Sequence, residues 1–134
     1  MATMSQIRAG LGDRLSTIDR LRVRDYMPDA VTPPMAIVSP SQVNYDLNAQ
    51  KGLTNYSFTV SLIVVRADAR SAQLDVDKYI APTGEYSVKA AIEADRTLGG
   101  IVNTCRVTAV NNYTSQDVND TLYLALDFEV EVWA

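Results

Sequence analysis

Histidine is absent from this chain of 134 residues, and cysteine occurs once, at Cys105. Without histidine, Ser-His-Asp and Cys-His catalytic arrangements are excluded, as are the common Cys/His zinc sites. A single cysteine allows no internal disulfide. In an apolar-alternating run and with no histidine to activate it, Cys105 reads as a small buried hydrophobe. Long apolar runs are missing too: no stretch approaches the roughly 18 to 20 residues of a membrane span. No apolar run follows a basic start, so a signal peptide is not expected and the compartment is taken as the cytoplasm of a cell or an infected cell. The three Asn-X-Ser/Thr matches at Asn55, Asn112 and Asn119 then read as chance. No Gly-rich phosphate loop is present, because Gly99-Gly100 follows a helical pattern, whereas such loops follow a strand and open a helix.

What remains is an ordinary globular composition, 47% hydrophobic and 21% charged, in a length that fits one domain spanning residues 1–134. The net charge of −4 is unevenly spread. Residues 1–24 carry Arg8, Arg14, Arg20, Arg22 and Arg24 against Asp13 and Asp19, whereas the remainder is strongly acidic. Such asymmetry fits a contact with nucleic acid, head-to-tail contact between copies of one protein, or simply a solvated basic helix face.

Met4, Ile7, Leu11, Leu15, Ile18 and Leu21 recur at helical spacing and predict a helix from about Ser5 to Asp19. Gly10 and Gly12 each weaken that helix by up to about 1 kcal/mol relative to alanine, so packing must support it or something must approach its backbone closely. A short extended piece follows at 22–27. After the loop bracketed by Pro28, Pro33 and Pro34, a strand runs from Met35 to Val43 or Tyr45, with Pro40 marking an edge position or a bulge. Asn44–Asn55 reads as a long polar hairpin loop. Tyr56, Phe58, Val60, Leu62 and Val64 then form a period-2 strand face. Leu74 to Ile80 returns to helical spacing and Pro82 ends it. A further helix follows Ser87, its expected N-cap, with Gly99-Gly100 as its terminator. Two more strands, Ile101–Val110 and Leu122–Trp133, flank a turn-rich segment, Asn111–Asp120. In the last strand, Leu122 to Val132 alternate with Tyr123, Ala125, Asp127, Glu129, Glu131 and Trp133. The expected class is α+β: an antiparallel sheet of four to five strands with an N-terminal helix and two central helices packed on it.

Two carboxylate groupings merit weighing. Asp75-Val-Asp77 resembles the start of a calcium loop, but Ile80 stands where the glycine belongs and Tyr86 where the final glutamate belongs. Asp127, Glu129 and Glu131 share one strand face by their spacing. They suit a solvated face, a subunit interface or a ring lumen better than acid–base catalysis, since no pocket-forming pattern lies beside them.

The segment Tyr79-Ile-Ala-Pro-Thr-Gly84, followed by Ser87-Val-Lys-Ala-Ala-Ile-Glu93 and Leu98-Gly99-Gly100, resembles the tail terminator proteins of long-tailed, siphovirus-type phages infecting actinobacteria. Ile7-Arg-Ala-Gly-Leu11, Pro33-Pro34 leading into Met35–Val38, the strand Tyr56–Val65 and the alternating C-terminal strand resemble them as well. The resemblance covers nearly the whole chain in order and length. It implies a virion protein of the tail and neck, assembled in the host cytoplasm and carrying no catalytic residues or cofactor. Such proteins form rings, commonly hexamers, that cap the head-proximal end of the tail tube, end its polymerisation and meet the head connector, while DNA passes through the lumen without being read.

A ring needs two different complementary surfaces on each subunit. The basic set Arg8, Arg14, Arg20, Arg22 and Arg24 is a candidate for one. Asp46, Asn48, Gln50, Lys51 and Asn55 are candidates to reach the tail tube protein, because polar loops on a rigid sheet often carry contacts. Asp127, Glu129 and Glu131 are candidates for the lumen or a subunit interface. The competing readings are another ring of the neck, a small ligand-binding or enzymatic domain, and a nucleic-acid-binding domain. The last is weakened by the acidic pI near 4.7.

Overall fold

A computed structural model describes residues 3–18, 21–24, 34–45, 54–66, 72–118 and 121–134. The chain opens with helix α1, Met4–Leu15. Thr3 caps it: its hydroxyl accepts from the Gln6 N–H at 3.2 Å, and the Gln6 side chain accepts from the Thr3 N–H at 2.9 Å. This reciprocal box satisfies two of the N–H groups that a helix start leaves without partners. Ile7, Leu11 and Leu15 are fully buried. The helix ends before the predicted Asp19, which lies outside the described residues. The Ser16 and Thr17 hydroxyls donate to the carbonyls of Gly12 and Arg14, a local competition that disfavours continuing the helix. Ile18 and Leu21 still reach the core from the following turn, which is why the apolar spacing outlasts the helix.

Among the described residues five strands follow the order β1-β2-β3-β5-β4 across one sheet: β1 Arg22–Arg24, β2 Met35–Asn44, β3 Asn55–Arg66, β4 Thr104–Val118 and β5 Thr121–Trp133. The antiparallel expectation needs one correction. β1 pairs with β2 in parallel, Val23 opposite Ala36, so the sheet is mixed. Alternation in a three-residue strand reports which side chains face the core, not which way the strand runs beside its neighbour. The remaining pairs are antiparallel. Pro40 sits at a bulge: the register shifts between Pro40 and Gln42, and the Ser41 hydroxyl donates to the Ser57 carbonyl at 3.0 Å.

The hairpin loop expected at Asn44–Asn55 begins and ends inside the sheet, because Asn44 and Asn55 pair with each other as strand residues. The turn-rich segment expected at Asn111–Asp120 is mostly strand. β4 continues to Val118, with register shifts at Val107/Ala109 and Asn111/Thr114. Polar residues of low strand propensity are held there by pairing with the strongly alternating β5. Residues Ile101–Asn103, expected in the strand, lie in the turns before it.

Helices α2, Ala72–Ile80, and α3, Val88–Glu93, join α1 on one face of the sheet. The Ser87 hydroxyl accepts from the Ala90 N–H at 3.1 Å and so caps α3. The helix stops at Glu93, well before Gly99-Gly100. Those two glycines, at φ 75° and 91°, shape the turns that lead into β4. Leu98 shares their left-handed conformation at φ 52° and is buried beneath α1. A Cβ on Gly10 would stand 3.2 Å from the Leu98 Cβ, so the close backbone approach foreseen for this glycine is made by Leu98. The main core lies between the helices and Phe58, Val60, Leu62, Leu126, Phe128, Val130 and Val132.

Candidate functional site

On the face of the sheet away from the helices, successive rungs of β3, β5 and β4 bring polar side chains together. Ser57, Glu131 and Arg106 form one rung, Thr59, Glu129 and Ala109 the next, then Ser61, Asp127 and Asn111. Period-2 alternation places them there: their neighbours Phe58, Val60, Phe128 and Val130 fill the core on the other side. Towards the opposite end of the strands the same face turns apolar, where Met35, Ile37, Ile63 and Ala125 form a second buried cluster with Tyr123 against it.

The three carboxylates differ in their surroundings. Glu131 is half-buried and accepts from the Ser57 hydroxyl at 2.8 Å and from the Asn55 side-chain amide at 2.9 Å. Asn55 is itself 6% exposed and continues the chain of bonds to Asn44. Glu129 is exposed and accepts from the Asn111 amide at 2.9 Å. Asp127 is half-buried. Arg106, opposite Glu131, also stands 5.5 Å from the centre of the Trp133 ring. The predicted acidic row is therefore one connected polar surface in which Glu131 is held by the sheet and Glu129 faces outward. Ser57, Asn55, Asn111 and Arg106 were missed as members of it. The serine and threonine alternation of β3 was the available signal, but only the strand order places it beside β5.

The described arginines of the basic set have different surroundings. Arg14 donates from Nε to the Ala91 carbonyl at 3.0 Å and ties α1 to α3. Arg22 and Arg24 are exposed on β1, and Arg8 is half-buried on α1. Arg20 lies outside the described residues. Of the candidate tube-contacting residues, Asp46, Asn48, Gln50 and Lys51 also lie outside them, whereas Asn55 is the buried strand residue just described. Asp75 and Asp77 sit on α2, where Lys78 approaches Asp75 at 3.6 Å, so they belong to a helix and not to a calcium loop. Among the described residues no cluster of three potential metal-ligating side chains occurs.

A separate charged group holds α3 to β4. Burial raises the pKa of Glu93, but the Lys89 ammonium, the Val107 N–H and the Arg96 charge outweigh it, and the net shift is downward. Beside it Cys105 is fully buried, and burial first, then the charges of Glu93 and Asp95, push its thiol up to about 11. The thiol stays protonated at neutral pH, as suits a packing residue.

An open pocket of about 360 Å³ lies between α1 and the β1–β2 edge, lined by Arg8, Gly12, Asp13, Val23, Arg24 and Val38 among others.

Comparison with family models and with curated proteins gives no match. Among solved structures 26 chains match. One of them, whose name describes no function, is 20% identical and covers 97% of this chain and 95% of its own length at a TM-score of 0.47. That similarity is too low to carry an argument about fold or function.

Proposed function

We propose that this chain is a tail terminator: the subunit of a ring, commonly a hexamer, that caps the head-proximal end of a phage tail tube, ends its polymerisation and forms the joint to the head connector. The observation that supports this reading best is the sidedness of the sheet. One face is closed by three helices. The other carries Glu129, Asp127, Glu131 and their hydroxyl and amide neighbours on rigid strands. A polar, predominantly acidic strand surface suits a lumen through which DNA slides, because carboxylates repel phosphate and offer it no pairing. The chain-wide resemblance to tail terminators supplies the biological setting, and the separation of basic from acidic residues suits the two unlike surfaces of a ring contact.

The decisive test is tube growth. Polymerising tube protein is mixed with this chain, and the product lengths are measured by electron microscopy. Tubes that stop growing once the protein sits at one end support the reading. Tubes of unchanged length, with the protein bound instead to isolated head connectors, would favour another ring of the neck.

A further inference from the structure

We propose that the pocket between α1 and the β1–β2 edge is a socket for a carboxylate of a second copy of this chain, with Asp117 the side chain it receives; the inference rests on the ring reading above. Arg8 stands at the pocket wall with its Nε buried and without a hydrogen-bond partner. Buried donors in native proteins find partners, and an unpaired guanidinium nitrogen costs free energy until an acceptor arrives. Arg24 lines the same pocket from the edge strand. Among the described lining residues, two guanidiniums stand against the single carboxylate of Asp13. Among the described residues, a Cβ on Gly12 would meet the Val23 side chain at 3.6 Å, an ordinary contact, so there is open space above the helix backbone at this point. Val23, Val38 and Ala9 supply an apolar part of the wall, and Ser5 and Ser16 complete it. The occupant should therefore present a carboxylate beside an apolar group.

The opposite edge of the sheet offers that pair. β1 and β4 are the two ends of the strand order. The last rungs of the β4–β5 hairpin, Asp117 opposite Leu122 and Val118 opposite Thr121, lie past the final β3 pairing, Arg66 with Tyr123. Residues directly opposite on antiparallel strands share a face, so the exposed Asp117 carboxylate and the 54% exposed Leu122 side chain stand side by side. A socket at one edge and a matching plug at the other make a head-to-tail contact, the kind that closes into a ring.

The test is a charge swap in the full chain, with self-association followed by sedimentation velocity and folding checked by circular dichroism. Arg8→Glu and Asp117→Arg should each weaken association on the order of tenfold or more, and the double variant should recover most of that loss. If the wild-type ring forms and neither reversal changes it, or the double variant shows no recovery, the socket is wrong while the ring survives. A wild-type chain that is monomeric at every concentration and on tube ends overturns the ring reading and the socket with it. A perturbed Arg8 Nε–H resonance on titration with acetate, together with unaffected assembly, would assign the pocket to small anions and overturn the socket.

Discussion

The two faces of β5 sit on the same backbone, yet they are held in different ways. Leu126, Phe128, Val130 and Val132 are each no more than 1% exposed and meet helices across a packed core. Asp127, Glu129 and Glu131 meet serine, asparagine and arginine neighbours across the sheet. The first face derives stability from removing apolar surface from water. The second contributes little through burial, and its hydrogen bonds largely replace bonds to water. The polar rungs of the second face are therefore left to be shaped by their contacts, while its apolar end, around Ile63 and Ala125, is buried in its own cluster.

That difference can be broken first at its strong side. Phe128→Ala should lower unfolding stability by about 3–5 kcal/mol, whereas Glu129→Gln on the same strand should stay within about 0.5 kcal/mol, both read from urea denaturation. Comparable losses at both positions would remove the distinction.

The polar face itself should be graded. Glu131→Ala leaves the buried Asn55 amide without this acceptor and should lower stability by about 1–2 kcal/mol. Pairing it with Asn55→Ala in a double-mutant cycle should show that much of the loss comes through this one bond.

A smaller, pH-dependent effect belongs to Glu93. Its folded pKa lies below the ordinary value of 4.5, so its contribution is present above that pH and is lost as pH falls through the folded pKa. The melting temperature of Glu93→Gln should fall below that of the wild type at pH 6, and the gap should narrow as pH drops below 4.5. A gap that persists unchanged in acid would mean that Glu93 acts by packing and not by charge.

The alternation of β5 and of Tyr56–Val64 made the buried face readable from the residues, because period 2 and burial are tied by strand geometry. Ser87 was readable as a helix cap for an equally local reason. The parallel placement of β1 was not, since direction is set by pairing between distant residues. The continuation of β4 through Asn111–Val118 was hidden for a related reason: its polar side chains resemble a turn, and the partner that overrides their propensity lies on another strand. The acidic row was legible as three carboxylates on one face. Its division into a bound Glu131 and an outward Glu129 depends on Asn55 and Asn111, which come from different strands. The pocket at Arg8 was legible only as a helix with two ill-fitting glycines.

The most direct measurement is the solution mass of the purified chain by light scattering across concentration, with and without tail tubes. A discrete ring mass, or a 14.7 kDa monomer that forms a ring only on tube ends, is the expected result. A monomer that ignores tubes at every concentration would contradict it and turn attention to a small ligand-binding domain.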